Sequence, residues 1–276
     1  MAKISAFSVG HCTHPSCMAL KGSGFKSRCF PSRAFLIETK AGLCLWDTGY
    51  ASRFMDEVSS GAARLYGWVT PVFFDESASL VRQLEAVGVA PRDIGRVVLS
   101  HFHADHMAGL KDFPNASVYC CANGWHKHKH LRGFAAVRKA FLPGLVPARM
   151  EDRLEYIQRS PMRPLPSELQ PFSGGWDLTG TGEVFVVELP GHAIGHLGAF
   201  IKEDSGWTLL ASDAAWAAEA YREMRGPSEL SFVVQDSRKS YYETLQKIHQ
   251  LNASGDVRIE LTHEDPTYAP GKVLTC

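Results

Sequence analysis

The chain has 276 residues, with 29 lysines and arginines against 29 aspartates and glutamates, so its formal net charge is zero. Hydrophobic residues make up 45% and charged residues 21%, which excludes a disordered chain, and the missing cation surplus argues against a nucleic-acid partner. No apolar run approaches the roughly 18 residues of a membrane span and Met1–Gly10 does not read as an export signal, so a cytoplasmic protein with no membrane partner is expected, its seven cysteines reduced.

In chain order, Ile4–Val9 alternates as a first strand, and His11–Cys17 reads as a loop after it. Ala34–Thr39 and Leu43–Trp46 form a hairpin about Lys40-Ala-Gly42, running into Asp47-Thr-Gly49. Leu80, Val81, Leu84 and Val87 share one face of a helix over Ser77–Val87, which Gly88 caps. Arg96–Ser100 is a buried strand, followed at once by His101-Phe-His-Ala-Asp-His106. Ala116–Cys121 is another strand, and 123–175 reads as a helical, then irregular, Pro-rich insertion over the core. Val184–Leu189 ends in Pro190-Gly-His192. Leu197–Ile201 pairs with Trp207–Ala211, which ends in Ser212-Asp213. Ser237–Leu251 is a helix, and Val257–Leu261 a last strand ending in Thr262-His263. Strands interleave with helices, so a single layered α/β or α+β domain over 1–276 is expected.

Beyond the first hairpin, four strand ends therefore carry histidine or aspartate, where rigid strands give way to loops. His101 and His103 share a face of extended chain. Asp105 and His106 follow as the chain turns into a helix. Imidazole and carboxylate are good zinc donors, and four within six residues are costly to bury unpaired. One tetrahedral ion cannot take all four from so short a segment; two adjacent ions can. His192 completes the first site, His263 the second, and Asp213 is placed to bridge them.

These residues resemble the dinuclear hydrolases of the metallo-β-lactamase superfamily, from about Ser5 to His263. The family's His-x-His-x-Asp-His motif falls on His101, His103, Asp105 and His106. Its Pro-Gly-His element gives His192, its metal-bridging aspartate Asp213 and its final histidine His263. Asp47, in Trp-Asp-Thr-Gly, matches the aspartate that supports the site from behind the ligands. The resemblance implies an α+β, four-layer αβ/βα sandwich holding two Zn(2+) ions. It also implies a bridging hydroxide that attacks an ester-like bond, with Asp105 carrying the proton to the leaving group.

Within that superfamily, His103 stands where the flavodiiron proteins carry glutamate, and Asp213 where true β-lactamases lack the bridge. The tail Glu264–Cys276 is too short for the glutathione-binding region of the thioesterases. A lactonase- or esterase-like enzyme for a small-molecule ester is the reading left. A phosphotriesterase or glyoxalase-type thioester hydrolase is the alternative, and a metal-binding scaffold without turnover the alternative outside enzymes. The acyl-homoserine lactonases have Asp-Ala-x-Tyr where this chain has Asp213-Ala-Ala-Trp216, making Trp216 a candidate substrate contact. Leu65–Phe74 is a candidate acyl-pocket wall, homodimer interface or piece of core. His126-Lys-His-Lys-His130 reads as a solvated basic patch.

Overall fold

A computed structural model describes residues 1–264; the tail discussed above, 265–276 with Cys276, lies outside the described residues. The first sheet holds β1 (Lys3–Pro15), β2 (Ser27–Thr39), β3 (Gly42–Trp46), β4 (Val72–Phe73), β5 (Arg96–Val98), β6 (Ser117–Cys120) and β7 (Leu154–Tyr156). They lie in the order β4-β1-β2-β3-β5-β6-β7, antiparallel up to β3 and parallel beyond it. The second sheet holds β8 (Arg163–Pro164), β9 (Gly174–Asp177), β10 (Val184–Glu188), β11 (Leu197–Glu203), β12 (Gly206–Ser212) and β13 (Val257–Leu261). Its order is β13-β12-β11-β10-β9-β8, antiparallel except for the parallel β12–β13 pair.

Strand periodicity divides the apolar residues among three cores. Phe35, Ile37, Trp46 and Val98 meet Val186, Ala199, Ile201 and Leu210 between the sheets. Their alternates Leu36, Leu45 and Val97 face outward onto Phe54, Leu80 and Leu84 of the first helical layer. Phe200, Leu209 and Ala211 face the opposite way, onto Tyr241, Leu245, Ile248 and Leu251 of the helix Arg238–Ser254. The result is the α+β sandwich of helix, sheet, sheet and helix that was expected. No helix among the described residues is long and apolar enough to cross a membrane.

The sequence reading needs three corrections. The His11–Cys17 stretch is largely strand: a bulge between Ser8 and His11 lets β1 resume and pair with β2 to Pro15. The 123–175 stretch is woven into the sheets, supplying the edge strands β7, β8 and the first half of β9. The His126–His130 patch is only partly solvated. Spacing of two residues in a helix throws the middle residue to the opposite face, and His128 is buried, stacked on Phe102 with its Nδ1 on the Gly124 carbonyl at 2.7 Å.

Gly191 sets the path of the chain into the second sheet's share of the site. Its φ is +130°, and a Cβ there would overlap the backbone nitrogen of Tyr241. The close approach lets the Gly191 carbonyl accept the N–H groups of Asp236 and Ser237 at 3.1 and 2.9 Å. Gly191→Ala is expected to destabilise the protein by at least about 2 kcal/mol, a fall of roughly 4–8 °C in melting temperature for a chain of this size. Thermal unfolding checks this; an unchanged midpoint sinks the argument.

Candidate metal centre

The site gathers at the C-terminal ends of five strands. β3 delivers Asp47, and β5 delivers His101 and His103 in extended chain, then Asp105 and His106 in the short helix Ala104–Met107. β10, β12 and β13 deliver His192, Asp213 and His263. The two sheets are tied at this edge. Trp46 Nε1 donates to Ser212 Oγ at 2.8 Å, and Leu197 N–H donates to the Ser100 carbonyl at 2.9 Å. Asp47 and Ser212 have φ of 58° and 48°, a left-handed conformation that costs a residue with a Cβ about 1–2 kcal/mol. Hydrogen bonds hold both in place.

All seven predicted donors are buried and converge in two groups. His101, His103, His192 and Asp213 form one, and Asp105, His106 and His263 the other, with the ligand atoms of each group within 4.8 Å of one another. His192 Nε2 lies 3.2 Å from His101 Nε2 and 3.0 Å from His103 Nδ1. Asp213 reaches both groups. Its Oδ2 is 3.3 Å from His192 Nε2 and 2.9 Å from His263 Nε2, and its Oδ1 is 3.3 Å from His106 Nε2.

Behind the donors, other groups fix the rings. His106 Nδ1–H donates to Asp47 Oδ2 at 2.8 Å, and the Ser100 hydroxyl and N–H donate to the same carboxylate at 2.7 and 2.8 Å. A carbonyl only accepts, so His263 Nδ1 carries its proton towards Pro31 O at 2.9 Å and turns Nε2 inward. Ser32 Oγ donates to the Asp105 carbonyl at 2.7 Å.

Sequence reasoning missed His196. It is buried, donates Nδ1–H to the Leu189 carbonyl at 2.8 Å and accepts the Asp213 N–H on Nε2 at 3.2 Å. It thus anchors Asp213 from below, but an isolated histidine four residues after His192 carries no sequence signal of that role.

Electrostatics fits divalent cations. Burial, reinforced by neighbouring imidazoles, pushes His101 and His103 well below the usual histidine value and His192 down to about 3. Their nitrogens are therefore unprotonated lone-pair donors. At His106 burial opposes protonation, but Asp105, Asp213 and Asp47 outweigh it and raise the pKa. The same carboxylates would attract a metal ion. His106 Nε2 and Asp213 Oδ1 are sealed from solvent without a hydrogen-bond partner, close but misaligned. Such orphans cost about 1–3 kcal/mol each, and a cation is the partner both can share.

Five of the donors, His103, Asp105, His192, Asp213 and His263, floor a cavity of about 500 Å³ whose walls are mostly apolar. Phe30, Val69, Val137, Leu230 and Val233 line it, and among the described residues no lysine or arginine does. Of the aromatic stretch Leu65–Phe74, Tyr66, Val69 and Thr70 reach the cavity, while Trp68 is exposed. Trp216 lines it too, edge-on to His192 and His263 at ring separations of 5.4 and 6.2 Å. Its indole N–H is donated to Asp213 Oδ2 at 2.9 Å, so that N–H is not free for a substrate.

Residues 27–254 match the family described as the Metallo-beta-lactamase superfamily. The chain belongs to that superfamily. A probable metallo-hydrolase of Mycobacterium bovis is 29% identical over 211 residues, which are 73% of this chain and 61% of that one; the chain thus spans less than two thirds of that relative's length. An N-acyl homoserine lactonase, AttM of Azorhizobium caulinodans, is 28% identical over 87% of this chain and 84% of its own. Among solved structures, a Bacillus thuringiensis AiiA mutant with N-decanoyl-L-homoserine bound at its active site superimposes with a TM-score of 0.69. It is 20% identical, over 95% of this chain and 92% of that one. The quorum-quenching lactonase AidC gives 0.64 at 14% identity, over 95% and 87%. The fold is shared with these lactonases.

Proposed function

We propose that this member of the superfamily is a metal-dependent hydrolase that opens an uncharged ester bond, in a lactone or a carboxylic ester. The observation that carries the reading is the convergence of seven buried donors from four strand ends beneath one apolar cavity, which His103, Asp105, His192, Asp213 and His263 line directly. His101, His103, His192 and Asp213 would hold one cation, and Asp105, His106 and His263, with Asp213 in reach of both groups, would hold the other. The all-nitrogen-and-oxygen set suits zinc. When bound, such a pair of ions acidifies water towards pH 7 and polarises a carbonyl oxygen.

The chain's own residues do the rest. Asp47 holds His106 in one tautomer and orientation, and His196 and Trp216 hold Asp213. Asp105 faces the cavity, where its carboxylate takes the proton of the attacking water and returns it to the departing oxygen. The apolar walls exclude water from the rest of the substrate. A wall to which the described residues contribute no lysine or arginine favours a neutral substrate over an anionic thioester such as a glutathione conjugate. Six cysteines are free thiols among the described residues, which suits a cytoplasmic enzyme.

Two measurements on one sample test the proposal. Elemental analysis after metal loading is expected to give about two divalent ions per chain. A panel of lactones, aryl esters, thioesters, phosphotriesters and β-lactams should show lactone or ester turnover foremost, abolished by chelation and restored by metal. One ion or fewer after full loading removes the dinuclear reading. Two ions with no ester turnover remove the hydrolase reading and leave a scaffold.

A further inference from the structure

One polar group in the cavity has no task in the site described so far. Tyr66 sits on the helix Ala63–Val69 and is 7% exposed, its ring edge-on to Phe54 at 5.7 Å. A phenol buried to that degree normally finds a hydrogen-bond partner. The Tyr66 hydroxyl has none among the described residues. Nor is it sealed in protein: it opens onto the cavity that Tyr66 lines together with Asp105 and Asp213.

Two other donors near the floor are engaged. The Trp216 N–H is held by Asp213 Oδ2, and the Tyr50 hydroxyl is paired with the Cys12 thiol. We propose that Tyr66 is a catalytic residue of the hydrolase: its hydroxyl donates a hydrogen bond to the substrate's carbonyl oxygen and tightens it as that oxygen gains negative charge. The inference rests on the hydrolase reading above.

The chemistry favours the carbonyl oxygen over the leaving oxygen. Burial, and then the nearby Asp105, Cys12 and Asp213, push the Tyr66 phenol well above its usual range. A phenol in that state stays protonated and donates a hydrogen bond, but surrenders its proton reluctantly. It suits an oxygen that needs charge stabilised, not one that needs a proton. Packing against Phe54 fixes the ring beforehand, so little orientation is lost when a substrate arrives.

Tyr66→Phe removes one oxygen that has no protein partner and keeps the ring, so folding and ion content should be preserved; the melting temperature and elemental analysis check both. Metal-loaded wild type and variant are then compared on a lactone, an alkyl ester and a p-nitrophenyl ester. The expected result is a fall in kcat/KM of about 10- to 100-fold, the usual range for a hydrogen bond to a charged group, equal for alkyl and aryl leaving groups. Calorimetric titration with the monomethyl ester of an alkylphosphonate, whose charged oxygens imitate the tetrahedral state, should show a similar loss of affinity. A fall confined to alkyl leaving groups overturns the carbonyl assignment. Unchanged kcat/KM with unchanged phosphonate affinity overturns the proposal. A wild type inactive on all three substrates overturns the hydrolase reading, and the phosphonate titration then still decides whether Tyr66 touches the ligand.

Discussion

Asp105→Asn should lower kcat by about 10²- to 10⁴-fold, the range for loss of an acid–base group. The wild-type carboxylate is buried at the cavity floor, with Oδ2 3.5 Å from both His106 Nε2 and His263 Nε2. Asparagine keeps the shape, and the Ser32 bond goes to the backbone oxygen, so the local fold should survive. What disappears is one negative charge beside two imidazoles and the only proton acceptor assigned to the attacking water. Occupancy of the cation shared with His106 and His263 should weaken as well. Measuring kcat beside ions per chain separates the two losses. Turnover near the wild-type level with both ions present would show that Asp105 is not the proton carrier.

The second large effect is acid lability of the metal-stripped protein. An unfolded histidine takes up its proton near the ordinary value of 6.5, whereas folded His101 and His103 resist protonation and His192 does so down to about 3. Below pH 6.5 the unfolded chain therefore binds more protons, and stability drains as the pH falls. The contribution is whole above about pH 6.5 and is lost progressively towards the folded values. Each such histidine can contribute about 1.4 kcal/mol per pH unit in that window. His106 and His263 are shifted upwards, so below 6.5 they are protonated in both states and do not offset the decline. Their stabilisation is lost instead as pH rises through their raised values. Asp213 is shifted down from 3.8 and enters only in stronger acid. From pH 6.5 to 4.5, His192 alone should remove about 2–3 kcal/mol, a fall of roughly 5–10 °C in melting temperature. A flat midpoint over that range, with chelator present, would contradict the burial argument.

The strand ends were legible because each couples two local signals. Arg96–Ser100 is a short run around Val97, Val98 and Leu99 followed at once by His101-Phe-His, and both the run and the break are written in neighbouring residues. The helix Arg238–Ser254 was legible from Tyr241, Leu245, Ile248 and Leu251 falling on one face. The rest depends on partners distant in the chain. β8 and β9 have two and four residues, too short to show a period, and exist because β10 offers an edge. The second half of β1 is polar, and its strand state is enforced by β2 across a glycine bulge. His196 acts through a single hydrogen bond to Asp213 and Ser100 through two to Asp47, which leave no pattern. Trp216, singled out as a candidate substrate contact, lines the cavity, but the direction of its N–H depends on a carboxylate three residues back.

The donors are spread along the chain, and this has a consequence for how the protein is made. His101 and His103 leave the ribosome early, yet the histidine that completes the other group stands at position 263, a further 160 residues on. At about 5–20 residues per second, translation leaves roughly 8–30 s in which the His-x-His segment exists without the strands that close around it. During that interval the nascent chain offers at most a partial, solvent-open chelate. Metal loading at the strength of the finished site would therefore have to wait until β13 docks beside β12, so that ions held at this centre would be acquired after synthesis.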